Sequence, residues 1–387
     1  MLCKYPVPYG MAATTRIMSY AKGLLESGED VEVWSCIPTG EFGGCSESKG
    51  TLDGVNFIYT YKRNRSKLKI IRVFEHLISY IILPLKFLSE HKSKKIDVVI
   101  LSSDSIFLQI LVGLLCKLKD IKSIFIFDEF PYPIRVKLKS RLPYLKKIAY
   151  FISLRLFHGY ISMTQTLLDF YQGLVNKPGI VVSTITDLTR FKSHDIQKKK
   201  YNEPFSLVYM GNMELSKDNV DNIIRAIPDV INEFSVHLSL YGRPSHADLN
   251  KLSNLISDLG IADYVSFNYA KPHEVAYVLS QADLLVSSQP DTKRAMGGFP
   301  TKLGEYLMSG VPVLLTDVGE TSKYFIDGED MFFAKPESPS DFARLIKFIR
   351  INYEFALGVA NNGKQKIITT YSHTKAGSDI KEFINNL

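Results

Sequence analysis

Two periodicities alternate along the chain. Short runs of β-branched and aromatic residues are separated by longer segments whose apolar residues recur at three- and four-residue spacing, the pattern of parallel strands joined by helices. In the first half, strands are predicted near 31–36, 55–61, 97–102, 123–128, 159–163 and 180–184; in the second, near 205–210, 236–241, 264–269, 283–288, 311–316 and 331–334. Residues 219–233 and 247–259 carry helical spacing, with Gly260 as a stop. Each half reads as an open parallel sheet. Between them, 192–203 with its Lys198-Lys199-Lys200 run lacks apolar periodicity and reads as a linker. The opening Met1-Leu2-Cys3-Lys4 supplies barely half a strand, so the first strand is expected to be short or to begin upstream of this sequence.

At 387 residues the chain exceeds what one hydrophobic core supports, which agrees with two α/β domains. Cys3, Cys36, Cys45 and Cys116 form no CxxC pair and have no histidine at metal-ligand spacing, so neither a disulfide framework nor a zinc site is expected and a reducing cytosol fits. No charged lead followed by an apolar run marks a signal peptide. The longest apolar stretches, 77–85 and 106–116, fall short of the ~20 residues of a membrane span. A cytoplasmic protein is therefore predicted.

The net charge of +7 changes this picture in one respect. The excess gathers in 62–95 and 135–155, where Lys69, Arg72, Lys92, Lys139 and Lys146 interleave with Ile70, Phe74, Leu77, Leu145 and Phe151. Such helices can lie peripherally in the anionic surface of the plasma membrane's inner face. Alternatively they pack on the sheet with solvated lysines outward. Nucleic acid is not an expected partner, because the charge is modest for this length and no recognition motif accompanies it.

Ligands of doubly wound domains gather at the carboxyl ends of strands, where helix N-termini offer free amides to anions. Three motifs fall at such places. Gly10-Met11-Ala12-Ala13-Thr14-Thr15-Arg16 follows the opening segment, and Gly10 and Ala12 let backbone approach a phosphate or sugar; the alternative is a tight turn with a helix cap. Gly211-Asn212, with Lys217 further on, can bring an ammonium to a diphosphate, or Lys217 is a surface lysine. Most informative is Gly297-Gly298-Phe299-Pro300-Thr301-Lys302-Leu303-Gly304-Glu305. Pro300 suits a first helical position, and the amides around Thr301 to Leu303 would face a pyrophosphate. Glu305, one turn in, would take a ribose diol, or it complements the helix dipole. No Ser-His-Asp, Cys-His or metal constellation is found.

The run Phe299-Pro300-Thr301-Lys302-Leu303-Gly304-Glu305-Tyr306-Leu307 to Ser309-Gly310-Val311-Pro312-Val313 resembles the nucleotide-binding helix of the retaining GT-B transferases of glycosyltransferase family 4 (group 1). Other signposts stand in order: Gly28-Glu29-Asp30-Val31-Glu32-Val33, the Asp-x-x-Arg-Phe of Asp187 to Phe191, Gly211-Asn212 to Lys217, and Gln281 to Ser288. The resemblance implies two Rossmann-like, doubly wound domains facing across a cleft. These are an acceptor-side domain over 1–191, with 365–387 crossing back onto it, and a nucleotide-sugar-binding domain over 204–364. It implies a hexosyltransferase-like enzyme that moves a sugar, with retention, from a nucleotide-diphosphate donor to a lipid-linked or saccharide acceptor in bacterial surface polysaccharide synthesis. No cofactor and no metal ion are expected.

Carried over by position, Glu305 would bind the donor ribose, Thr301 to Leu303 the diphosphate and Lys217 the leaving phosphate, with Gly10, Ala12, Arg16, Gly211, Asn212, Gly298, Phe299 and Pro300 completing the donor site. Asp128 and Glu129, after the strand near 123–128, would contact donor sugar or acceptor hydroxyl. Two positions depart from the family: Asn212 stands where an arginine is usual and Gly297 where a glutamate is. Arg243 or Arg294 would replace the lost charge. Two alternatives follow: a sugar-nucleotide epimerase of similar shape, which would convert donor alone, and a catalytically silent membrane-associated partner of another transferase, which would bind no nucleotide.

Overall fold

The structure, a computed structural model, describes residues 1–130, 144–183, 186–191, 201, 203–271, 273–300 and 302–387, with backbone alone at 144–147. Thr301, Pro131, the basic run 135–143 and most of the predicted linker lie outside the described residues. By contact the chain divides into two units, Met1–Ile185 with His373–Leu387, and Thr186–Ser372.

In the first unit, β1 (Leu2–Cys3), β2 (Glu32–Ser35), β3 (Lys49–Leu52), β4 (Val55–Tyr59), β5 (Val98–Ser102), β6 (Lys122–Phe127), β7 (Gly159–Ser162) and β8 (Gly179–Val181) lie in the order β3-β4-β2-β1-β5-β6-β7-β8. The described pairings are parallel except β3 with β4. The expected all-parallel sheet is thus corrected by an antiparallel edge hairpin. Its signal was Asp53-Gly54: both residues have positive φ, 49° and 82°, as a two-residue hairpin turn requires. The helices are α1 (Ala12–Glu26), α2 (Lys69–Lys94), α3 (Ile106–Leu118), α4 (Tyr144–Arg155) and α5 (Gln165–Val175).

The second unit holds β9 (Phe205–Met210), β10 (Val236–Tyr241), β11 (Val265–Asn268), β12 (Leu284–Ser287), β13 (Val313–Thr316) and β14 (Phe332–Ala334), ordered β11-β10-β9-β12-β13-β14 and all parallel. Between them run α6 (Leu215–Asp218), α7 (Val220–Ile231), α8 (His246–Asp258), α9 (Val275–Ser280), α10 (Lys293–Gly297), α11 (Leu303–Met308) and α12 (Thr321–Tyr324), followed by α13 (Pro339–Ile351), α14 (Tyr353–Thr370) and α15 (His373–Asn385). Val220, Ile223, Ile224, Ile227 and Val230 of α7 are wholly buried in a core that includes Phe205, Leu207 and Tyr209 of β9. Burial of each such aliphatic side chain contributes about 1.5–3 kcal/mol. Gly260 stops α8 at φ +66°, a left-handed conformation that a glycine adopts without strain.

The last helix, α15, belongs to the first unit and packs on α1 at a glycine-to-glycine contact. A Cβ on Gly23 would lie 1.9 Å from the His373 carbonyl oxygen, and one on Gly377 would lie 2.0 Å from the Gly23 carbonyl carbon. Polar contacts fix the register: His373 Nε2 meets Glu26 Oε1 at 3.0 Å, and Lys381 Nζ donates to the Ser27 carbonyl at 2.6 Å.

Helix α2 buries few of its apolar residues. Its buried positions are Glu75, Ser79, Leu83 and Phe87, so the first half of its inner face is polar. Ile70, Val73, Phe74, Leu77, Ile81 and Leu85 are exposed, Ile70 at 74% and Phe74 at 60%. Glu75 is held inside by Lys62 Nζ at 2.8 Å and by the Ser66 amide at 3.1 Å. Of the packed alternative, one part holds, with Leu83 and Phe87 in the core and Lys69, Lys92 and Lys94 exposed, and one part does not, since most apolar residues of the first half face outward. Among the described residues, no helix is long and apolar enough to cross a membrane.

Candidate active site

The order of the second sheet reverses between β9 and β12, and a doubly wound sheet opens its ligand crevice at the carboxyl ends of the strands flanking such a reversal. Gly211-Asn212 leaves β9 there. A Cβ on Gly211 would lie 2.4 Å from the Tyr209 hydroxyl and 2.6 Å from Lys302 Nζ. Gly242, leaving β10 at φ +154°, would put a Cβ 1.7 Å from the Gly211 carbonyl oxygen. The room that glycine leaves at 211 is thus filled by protein groups. Asn212 is exposed.

Lys302 turns inward. Its Nζ donates to Asp218 Oδ1 and to the Tyr209 hydroxyl, each at 3.2 Å, and sits 4.3 Å from the centre of the Tyr209 ring. Its side chain is 18% exposed and that of Asp218 5%. Burial lowers the Lys302 pKa, opposed by the Asp218 charge. Burial pushes Asp218 up, but the cations of Lys302 and Lys217 outweigh it and leave the carboxyl below its ordinary value. Asp218 Oδ2 also accepts from the Glu214 amide at 3.2 Å, so the pair pins α6, which carries Lys217, to the segment before α11. Glu214 in turn meets Arg294 of α10 at 3.4 Å.

Helix α11 starts later than the sequence suggests. Pro300 precedes it by three positions, and the Leu303 amide donates to the Pro300 carbonyl at 2.9 Å, so that amide is not open to a ligand. Phe299 is buried in a ring cluster with Tyr324 and Phe325, and Leu303 is 1% exposed. Both side chains pack in the core of the second unit. Gly297 ends α10, Gly298 follows in extended conformation, and Thr301 lies outside the described residues. Tyr306, unremarked in the sequence, ties α11 to β9: its hydroxyl accepts from the Met210 amide at 2.7 Å.

Glu305 lies in the first turn of α11, and its Oε1 accepts from Arg190. Arg190 belongs to the turn Leu188–Phe191, so the Asp-x-x-Arg-Phe motif sits with the second unit. Arg243 stands apart from this network, stacked 3.9 Å from the centre of the Tyr269 ring at the ends of β10 and β11. The structure thus joins Gly211, Lys302 and the α6 turn bearing Lys217, links Arg294 to that turn, and places Glu305 one helical turn from Lys302.

In the first unit the reversal falls between β1 and β5. Helix α1 begins at Ala12, so Ala12, Thr14 and Arg16 are helical. Gly10 closes the preceding turn: its Cβ would lie 2.0 Å from Thr14 Oγ1, which donates to the Pro6 carbonyl at 2.8 Å. Arg16, buried, is paired with Asp128 at the end of β6, so two candidates predicted for different roles engage each other. Glu129 follows, half-buried, and its carbonyl accepts from the Tyr171 hydroxyl at 3.5 Å. Among the described residues no cluster of three or more His, Cys, Asp or Glu is placed to hold a metal ion.

Residues 204–350 match the family model of the glycosyl transferases group 1. No curated protein matches the sequence. Among solved structures, the sucrose-phosphate synthase of Thermosynechococcus elongatus is similar over 100% of this chain and 98% of its own, with TM-score 0.74 and 14% identity. HepE of Anabaena, solved with UDP and glucose, is similar over 100% and 99%, with TM-score 0.74 and 13% identity. WaaG, a glycosyltransferase involved in lipopolysaccharide biosynthesis, is similar over 100% and 99%, with TM-score 0.65 and 15% identity. The fold is that of the GT-B glycosyltransferases, two parallel-sheet α/β domains, and with the group 1 match in the second unit it supports a transferase.

Proposed function

We propose that the chain is a retaining transferase of the family 4 type that passes a sugar from a nucleoside-diphosphate donor to a lipid-linked saccharide in surface polysaccharide assembly. The observation that carries this reading is the linked set at the β9–β12 reversal: Lys217 on a turn anchored by the Lys302–Asp218 pair, with Glu305 on the next helix. Lys217 is assigned to the departing diphosphate and Glu305 to the ribose hydroxyls. The bond from the anomeric carbon to the diphosphate oxygen breaks as the acceptor oxygen bonds to the same face. The acceptor's proton passes to the leaving diphosphate, so the protein contributes positioning and charge stabilisation, without cofactor or metal ion. Asp128 and Glu129 in the first unit are assigned to the donor sugar or the acceptor hydroxyl, with Arg16 paired to Asp128. HepE, solved with UDP and glucose, makes a UDP-sugar the first donor to try.

The exposed apolar face of α2 supports an acceptor met at a membrane. Lys67 and Lys69 are exposed at the start of that helix, which suits an anionic bilayer surface. The test of the catalytic reading is turnover of a donor panel on lipid-linked acceptors. Glu305→Ala and Lys217→Ala are each expected to lose about a hundredfold or more in activity while keeping the wild-type melting temperature. Unchanged turnover in both variants would reject the assignment, and an inverted anomeric centre in the product would reject retention.

A further inference from the structure

The Asp-x-x-Arg-Phe turn is built as a rigid mount for one side chain. Asp187 Oδ1 accepts from the Thr189 amide at 3.0 Å and from the Thr189 hydroxyl at 2.7 Å, and the Arg190 amide donates to the Asp187 carbonyl at 3.3 Å. Phe191 is buried, and the Thr186 amide donates to the Tyr371 carbonyl at 3.1 Å. The three named residues of the motif thereby divide the work: the aspartate closes the turn, the phenylalanine anchors it and the arginine is left to reach outward. It reaches Glu305.

The pair is half-open: the Arg190 side chain is 30% exposed and that of Glu305 23%. Arg190 holds Oε1, while Oε2 takes no hydrogen bond among the described residues. A carboxylate held through one oxygen by an arginine on a short hydrogen-bonded turn keeps its second oxygen in a fixed direction, which is what a hydroxyl donor needs from an acceptor. A free glutamate on the first turn of a helix would instead have to order three side-chain torsions when ligand arrives.

We propose that Arg190 is a positioning residue of the donor site, orienting Glu305 so that its second oxygen receives a ribose hydroxyl. This rests on the donor reading of Glu305 given above. The competing idea, that Arg190 occupies the ribose's place and must be displaced, predicts the opposite sign for its removal.

The experiment is calorimetric titration with whichever of UDP, GDP and ADP the wild-type protein binds, together with its 2′,3′-dideoxy analogue, on wild type, Arg190→Gln, Arg190→Lys and Glu305→Gln. Arg190→Gln is expected to weaken binding of the parent nucleotide about tenfold, the size of one disordered charge-assisted hydrogen bond. The wild type's preference for the parent over the dideoxy form should fall in Arg190→Gln to the level of Glu305→Gln. Arg190→Lys should recover part of it, with donor KM moved more than kcat and the ligand-free melting temperature unchanged. If Glu305→Gln weakens binding but Arg190→Gln leaves it unchanged or tightens it, the proposal fails and the donor reading stands. If wild type binds none of the three nucleotides, or Glu305→Gln and the dideoxy analogue both bind like their parents, the donor reading itself fails and takes the proposal with it.

Discussion

The two units each place one kind of side chain against its usual sense. The second unit hides a lysine: Lys302 lies under Gly211 against Asp218 and Tyr209. The first unit does the reverse, showing Ile70, Phe74 and Leu77 of α2 to solvent and turning Glu75 and Ser79 inward. Helix α7 is the reference for both, with its aliphatic residues buried in the ordinary way. Hydropathy periodicity identifies all of these segments as amphipathic or polar but carries no information about which way a stripe faces. An inversion that the packing could easily correct by rotating a helix or a side chain points to a use. The hidden lysine stiffens the turn that carries Lys217, and the exposed stripe offers a surface.

The largest effect should come from breaking the hidden pair. Asp218→Asn leaves the Lys302 ammonium buried without its counter-charge, and the expected loss is about 3–5 kcal/mol by denaturant titration at pH 7. The pH dependence has a definite sign. The folded Asp218 pKa lies below its ordinary value, so the pair's contribution is complete above about pH 4, the unfolded carboxylate range, and is lost as pH falls through the lower folded pKa. The stability gap between wild type and Asp218→Asn should therefore be level from pH 7 to 5 and narrow below pH 4. A gap that widens on acidification would mean that Asp218 is not paired as described.

Next in size is the reference helix. Ile227→Ala in α7 removes a wholly buried side chain from the second core and should cost about 2–5 kcal/mol in a chemical melt. A loss as small as that of a surface substitution would show that α7 does not pack as the structure has it, and the comparison with α2 would lose its standard.

The strands were legible because each is a short apolar run flanked by turn residues; Phe205–Met210 and Val236–Tyr241 fall where the sequence places them. The hairpin strand β3 was not, since Lys49-Gly50-Thr51-Leu52 has little apolar content and only the Asp53-Gly54 turn betrays it. At the site, the motifs around Gly211 and Glu305 stood out by glycine and helix-start chemistry. Their partners did not, because Arg190 with Glu305, Lys302 with Asp218 and Arg16 with Asp128 are brought together by topology across long stretches of chain. The packing of Phe299 was hidden for a related reason: an aromatic beside a glycine turn reads alike whether or not its ring meets others, as here those of Tyr324 and Phe325.

The smallest effect on stability should accompany the clearest effect on location. Replacing Ile70, Phe74 and Leu77 together by serine removes side chains that are more than half exposed, so the melt should move by no more than about 0.5 kcal/mol per site. In co-sedimentation with vesicles containing phosphatidylglycerol, wild type should pellet and the triple variant should stay in the supernatant, while neutral phosphatidylcholine vesicles should recruit wild type less because Lys67 and Lys69 lose their anionic partners. A triple variant that is strongly destabilised would mean that the face is covered within the protein. One that melts normally and still pellets would remove α2 from the membrane account. Either result would leave the Lys302–Asp218 pair and its turn untouched, since that network lies wholly within the other unit.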